Sequence, residues 1–387
     1  MKALYISSES NSPTGIKFPA RVAGSAPRRI VELDGLRGIA ILLVVSFHYI
    51  NNQLVDRTDS LSKAIAKATS FGWVGVDLFF VLSGFLIGSI LIANKSSENY
   101  FKTFYVRRLV RIVPNYFLLL IVFVAIWNLP YFASNYFLAG QQEIPLWSYF
   151  LMVHNFYMAS FHSLGNDALS ITWSIGIEEQ FYIIFPFIVF FAKRSWLPWI
   201  LGLLIVSAIG VRSLFEHWIP KYVLLPSRMD GLSIGFLIAY FNYTGALQTH
   251  KQKIISSLTI VLFCVLAACA YLYWRYTDLG SSKHTFFAIA FGILVVYALA
   301  LPKTWFGAIL RNRALVWVGT ISYSLYLFHY MILGLVHHFT GQTGIGIADF
   351  QDVIFSIVAF ALSLFISWTV FNLLEQPMVK IGKRFKY

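Results

Sequence analysis

Residues 34–48 read Asp34-Gly-Leu-Arg-Gly-Ile-Ala-Ile-Leu-Leu-Val-Val-Ser-Phe-His48. Two ionisable side chains, Arg37 and His48, interrupt an otherwise apolar run. Eleven residues on an α-helix make about three turns, so both side chains lie on one face, about 16 Å apart along the axis. An ionisable group inside a membrane-spanning segment is costly and is usually turned towards a partner or a water-filled cavity. The stretch therefore predicts a transmembrane helix that forms the axis of a polar site.

The rest of the chain agrees with a membrane setting. Of 387 residues, 58% are hydrophobic and 12% charged, and the mean hydropathy is +0.68. Long uncharged runs recur throughout, which excludes an ordinary soluble domain and predicts an all-α polytopic membrane protein. Ten spans are expected, at 36–53, 72–93, 114–130, 175–193, 196–211, 226–243, 254–275, 284–301, 315–338 and 352–375. The stretch Trp147–Phe161 is too short to cross and contains His154 and Asn155, so it reads as an interfacial or re-entrant helix. The long loop 131–174 is the candidate lid or acceptor-binding element.

Charge orients these spans. The net charge of +13 would suggest nucleic acid in a soluble protein, but here the positive-inside rule accounts for it. Loops on the side of the termini hold 21 Lys and Arg, and the opposite loops hold eight, among them Arg212 and Arg228. Both termini are therefore expected in the cytoplasm. Residues 1–30 form a cytosolic tail with no signal-peptide core, 31–376 the transmembrane domain, and 377–387 a basic cytosolic tail. Cys264 and Cys269 would diverge by about 140° on one helix, so they cannot bridge and read as small apolar residues.

Depth can then be assigned to each unusual residue. Arg37 enters at the cytosolic end of the first span, with His48 in its outer half. Asp77, Glu178 with Glu179, Asp230 and His329 are expected near the same outer depth, His329 sharing a face with Ser322 and Tyr326. Each has a plain reading beside the functional one. Arg37 can snorkel to headgroups, Asp34 can cap the first helix, and the acids can be interfacial. His48 is harder to dismiss, because an imidazole in a Leu/Val run needs a hydrogen-bond partner. On the cytosolic side, Arg107, Arg108 and Arg111 form a cluster suited either to anchoring or to bidentate phosphate binding. Ser83-Gly84 and Gly88 read as small-residue helix packing. No metal-binding spacing, P-loop or GxSxG motif is present.

These motifs resemble the acyltransferase-3 family of integral membrane O-acyltransferases over nearly all of 31–380. The resemblance rests on Arg37 with His48, on Gly75-Val-Asp-Leu-Phe-Phe-Val-Leu-Ser-Gly-Phe-Leu86, and on Arg108-x-x-Arg111. It continues through Thr172-Trp-Ser to Phe181-Tyr182, Arg228-Met-Asp-Gly-Leu232, Ile321-Ser-Tyr-Ser-Leu-Tyr326 with His329, and Glu375-Gln-Pro377. It implies transfer of an acyl group, usually acetyl from acetyl-CoA, to a hydroxyl of a carbohydrate or glycolipid acceptor such as lipopolysaccharide or another cell-surface polysaccharide. The setting implied is the cytoplasmic (inner) membrane. Some members carry an SGNH-type domain after the membrane part. This sequence ends about ten residues past the last expected span, so a stand-alone form with direct transfer in the membrane is expected.

The mechanism expected on this basis uses His48 as general base, with Glu178 or Asp77 orienting it and Arg37 lining the donor path. Arg107, Arg108, Arg111 and Arg37 would hold the phosphates and arm of acyl-CoA. Asp230, His329, Tyr326 and Trp173 would bind the acceptor or the developing oxyanion. No metal and no nucleic acid are expected. The competing class is a transporter or flippase whose path is lined by the same polar residues.

Overall fold

The computed structural model describes residues 29–54, 59–129, 144–276, 280–339, 346–347 and 349–387. The described residues are helical, without strands. The helices used below are, in chain order, α1 (Val31–Ser46), α2 (Gly75–Ala93), α3 (Tyr100–Trp127), α4 (Leu146–Phe150), α5 (His154–Phe161), α6 (Trp173–Phe191), α7 (Leu197–Leu214) and α8 (Trp218–Val223). They continue with α9 (Leu225–Tyr243), α10 (Lys251–Tyr276), α11 (Lys283–Ala300), α12 (Arg313–Thr320), α13 (Ser322–Phe339), α14 (Phe350–Val370) and α15 (Gln376–Gly382).

Among the described residues, eight helical segments are long and apolar enough to cross a membrane. A ninth forms if α12 and α13, which meet at 75°, make one broken span. The expected seventh span, 254–275, falls within α10, a helix of 26 residues, part of whose side chains lie outside the described set. Residues 1–28 and 130–143, on which the N-terminal tail and most of the expected lid fall, also lie outside the described residues. Large apolar side chains such as Phe191, Trp199, Leu203 and Phe350 face outward, as lipid-facing positions should.

Two spans differ from expectation in ways that matter for the site. α3 begins at Tyr100 instead of residue 114, and Pro114 lies inside it. Its arginines are thus carried on the helix into the bundle. The fourth span begins at Asp167, eight residues earlier than expected, so Glu178 is eleven residues in. At 1.5 Å per residue that is at most about 16 Å from the start of the span. Hydropathy missed the earlier start because Asp167, Ser170 and Thr172 dilute the apolar signal there.

The bundle closes where small residues let backbones meet. On α2, a Cβ added to Gly84 would overlap the carbonyl oxygen of Leu232 on α9. On α9, a Cβ at Gly235 would overlap the carbonyl oxygen of Val81. Nothing larger than hydrogen fits at either point, which is how small residues drive association in lipid. The same crossing places Asp77 of α2 against Arg228 of α9. The Trp147–Phe161 stretch is two short helices, α4 and α5, separated by Met152 at φ 56°. His154 is fully buried there. It stacks on Tyr149 and pairs with the Thr172 hydroxyl at 3.1 Å, and burial pushes its imidazole down to about 4, so it is neutral. This non-spanning segment thereby braces the start of α6.

Candidate active site

The helix that carries His48 changes its winding there. α1 passes at Phe47 into a π-helical turn, Phe47–Asn51. Such single π-turns widen a helix and re-aim one side chain, and they recur at functional sites. The His48 Nδ1 lies 2.9 Å from Nε2 of His329 on α13. His329 in turn directs Nδ1 at two main-chain carbonyls, Leu325 at 3.0 Å and Tyr326 at 2.8 Å. A carbonyl only accepts, so His329 carries its proton on Nδ1 and its Nε2 is an acceptor. This assigns the donating proton of the pair to His48 Nδ1, and in a neutral His48 ring Nε2 keeps its lone pair. Tyr49, on the same turn, donates to the His329 carbonyl at 2.7 Å and fixes the two spans against each other.

His48 opens on a cavity of about 430 Å³ whose walls include Trp73, Asp167, Trp173, Tyr222 and Tyr330. That is within the size range of small-ligand sites. A second, narrower cavity of about 110 Å³ lies beside it, lined by Arg37, Arg108, Arg111, Glu178, Tyr182 and Ser83 among others. Val76 and Tyr326 line both. The Tyr326 hydroxyl donates to the Ile171 carbonyl at 2.8 Å and pairs with the Ser174 hydroxyl at 2.7 Å. Tyr326 is therefore a fixed partition between the arginine cavity and the histidine cavity.

In the arginine cavity three guanidinium groups face a single carboxylate. Arg37 sits 3.6 Å from Asp34, which is also bonded to Arg29 at 2.6 Å and lies within α1, not at its cap. Arg108 lies over the faces of Phe104 and Tyr182. The Tyr182 hydroxyl donates to Glu178 at 3.2 Å and meets Ser83 at 2.5 Å. A lining with three guanidinium groups and one carboxylate is suited to a polyanion.

Several expected site residues lie elsewhere. Neither Glu178 nor Asp77 touches His48; the partner is His329. Asp77 is ion-paired with Arg228 at 2.6 Å, and both are nearly inaccessible. Arg228 is further enclosed by the ring faces of Phe80, Trp173 and Tyr222, at 5.0–5.4 Å. Asp230 is likewise buried, pairing with Arg212 at 2.9 Å and accepting from Thr285 at 2.5 Å, and it lines neither cavity. Arg107 turns away from the arginine cavity, donating to the Phe385 carbonyl at 2.6 Å and lying over the Tyr387 ring. Trp173 and Tyr326 do line the histidine cavity, and His329 stands behind its base. Among the described residues no group of three or more His, Cys, Asp or Glu is placed to hold a metal ion.

Sequence reading did not single out His284 or Asn115, and it quoted Glu375 only as part of a motif. His284 of α11 lines the histidine cavity and sits 3.6 Å from Asp77. Glu375 accepts from Asn115 at 3.1 Å and from Ser324 at 2.8 Å, joining α3, α13 and a second π-turn, Phe371–Glu375. A buried Glu or Asn in an apolar run was the available signal.

A family model described as an acyltransferase domain matches residues 30–372, which takes in both cavities. The chain belongs to this acyltransferase family. Among similar proteins, the peptidoglycan O-acetyltransferase OatA of Listeria monocytogenes is 28% identical over 91% of this acyltransferase chain and 56% of its own length. The O-acetyltransferase OatA of Staphylococcus aureus is 29% identical over 92% of the chain and 58% of its own length. The putative peptidoglycan O-acetyltransferase YrhL of Bacillus subtilis is 27% identical over 92% and 56%. The chain thus spans a little over half the length of these relatives. No solved structure matches it.

Proposed function

We propose that this acyltransferase moves an acyl group, in the simplest case acetyl, from cytosolic acyl-CoA to a hydroxyl of an extracytoplasmic carbohydrate. The observation that carries this reading is the pair of cavities meeting at Tyr326. One is rich in arginine and the other holds an imidazole with a bare Nε2. Membership of the acyltransferase family and the names of the relatives support the chemistry. Both termini and the arginine cavity face the cytoplasm in this reading, in a multi-pass protein of the cytoplasmic membrane. Arg212 and Arg228, two of the eight basic residues counted on the outer side, are buried in ion pairs, so the positive-inside bias is stronger than the loop count alone.

In this mechanism Arg37, Arg108 and Arg111 bind the phosphates of CoA, and the pantetheine arm passes Tyr326 to bring the thioester beside His48. The acceptor hydroxyl enters the histidine cavity. His48 Nε2 takes its proton as the oxygen attacks the thioester carbonyl. The new C–O bond forms, the C–S bond breaks, and the sulfur leaving group takes the proton from His48. His329 holds the imidazole in the required tautomer, the part that a carboxylate plays in a Ser-His-Asp triad. The kinetic variant is a covalent acyl-His48 intermediate.

The test is acyl-CoA-dependent transfer by purified protein, with wild type and His48→Ala compared. Loss of about 10²–10⁴-fold in turnover with folded protein is expected. Near-normal turnover in His48→Ala would sink the assignment. Solute movement across liposomes without acyl-CoA would point instead to a transporter.

A further inference from the structure

The histidine cavity shares part of its wall with a second chamber. Trp218, Tyr222, Lys283 and His284 also line this side chamber of about 170 Å³. The chamber adds Lys221 from α8, Arg212 from α7 and the turn at Gly280 and Ser281. Its described lining contains three cationic side chains, Arg212, Lys221 and Lys283, and no carboxylate.

These cations are not equivalent. Arg212 is 1% exposed, paired with Asp230, and donates to the Ser227 and Ser281 carbonyls and to the Thr285 hydroxyl. Its charge is matched inside the protein. Lys221 is partly exposed and makes no ion pair with any described residue. Lys283, also partly exposed, stands over the Trp73 ring at 5.8 Å, on the shared wall. A lysine near a span end commonly snorkels to lipid headgroups. These two instead line a concavity that shares a wall with the cavity holding His48. Lysine is a compact point charge on a flexible stem, suited to a carboxylate or phosphate whose position varies.

We infer that this chamber binds an anionic group, a carboxylate or phosphate, carried on the acceptor saccharide near the hydroxyl that is acylated. The inference rests on the acyl-transfer reading above and narrows its acceptor to an acidic glycan. Trp218 and Tyr222 belong to the shared wall and would stack on the sugar ring that carries the anionic group.

The experiment uses the full chain in phosphatidylcholine nanodiscs, with cellobiouronic acid and its neutral counterpart cellobiose titrated by tryptophan fluorescence. The acid is expected to bind about tenfold more tightly at low salt, the factor set by about 1.4 kcal/mol. High salt should shrink that preference, and Lys221→Gln with Lys283→Gln should bring the ratio close to one. Equal binding of the two sugars by the wild type would overturn the chamber and leave the acyl-transfer reading intact. Binding of neither would overturn the chamber together with the carbohydrate acceptor. A parallel assay of acyl-CoA hydrolysis would then show whether the donor half of the reading survives. Adding phosphatidylglycerol to the nanodiscs separates the remaining source of anions. If that lipid abolishes the preference, the chamber holds a headgroup and the inference fails.

Discussion

The Nδ1 of His48 and the Nε2 of His329 lie 2.9 Å apart on two different spans, and the carbonyls of Leu325 and Tyr326 decide which nitrogen donates. If His48 is the base proposed above, a partner imidazole can orient it without placing a carboxylate in the bilayer, where an uncompensated charge would be costly. His329→Leu should therefore lower kcat by about 10²-fold or more, within the range for a misplaced general base, while KM for acyl-CoA stays near the wild-type value. A KM effect without a kcat effect would assign His329 to substrate binding instead.

The arginines of α3 separate into two roles. Arg111 lines the arginine cavity, and Arg107 is held by the Phe385 carbonyl and the Tyr387 ring. A hydrogen bond to a charged group contributes about 1.5–3 kcal/mol. Arg111→Ala should accordingly raise KM for acyl-CoA about 10- to 100-fold with little change in kcat. Arg107→Ala should leave KM within about threefold, by the small worth of contacts outside a site, and loosen the C-terminal segment. Steady-state kinetics against acyl-CoA concentration, with limited proteolysis of the C-terminal residues, distinguishes the two.

Tyr326 separates the cavities through hydrogen bonds to Ile171 and Ser174. Water that crosses this partition would compete with the acceptor for the acyl group, and closed sites suppress such side reactions. Tyr326→Ala should raise acyl-CoA hydrolysis in the absence of acceptor while lowering transfer. Tyr326→Phe, which keeps the ring and loses the hydroxyl, should do so less. Hydrolysis unchanged in both would show that Tyr326 is not the barrier.

The helix crossing at Gly84 is a stability test. A methyl there would collide with the Leu232 carbonyl, and backbone cannot yield as a flexible side chain can. Gly84→Ala should destabilise by about 1–3 kcal/mol or more, the usual cost of overpacking, read as lower thermal stability in detergent. Gly202→Ala, where a Cβ meets nothing within 4 Å, should be neutral and serves as the control.

The sequence made legible mostly the geometry of single helices. The eleven-residue interval from Arg37 to His48 placed the two side chains in adjoining cavities, and Gly84 announced a close crossing. The Arg108-x-x-Arg111 spacing likewise put both guanidiniums in one cavity. The features that stayed hidden depend on where other helices land. Nothing local shows that Asp77 meets Arg228, that Asp230 meets Arg212, or that His329 stands behind His48. The span that carries Glu178 starts at Asp167, earlier than expected, because polar residues at 167–172 dilute its apolar signal. The π-turn at Phe47 has no composition signal, since it is a register change in an ordinary apolar run.

The last prediction concerns Asp77, whose place in the sequence suggested an orienting carboxylate and whose neighbours describe a different task. Its Oδ1 lies 2.6 Å from Arg228, a residue 1% exposed and ringed by three aromatic faces. Removing one partner of a buried ion pair leaves the other charge uncompensated, at a cost of about 3–5 kcal/mol. Asp77→Asn should therefore reduce the yield of folded protein and its thermal stability. The double variant Asp77→Asn with Arg228→Gln should recover much of both, because it removes the orphaned charge while keeping polar atoms that can bond. If Asp77→Asn were instead stable and slow in turnover, with no rescue from the second substitution, the carboxylate would belong to the chemistry and not to the packing of α2 against α9.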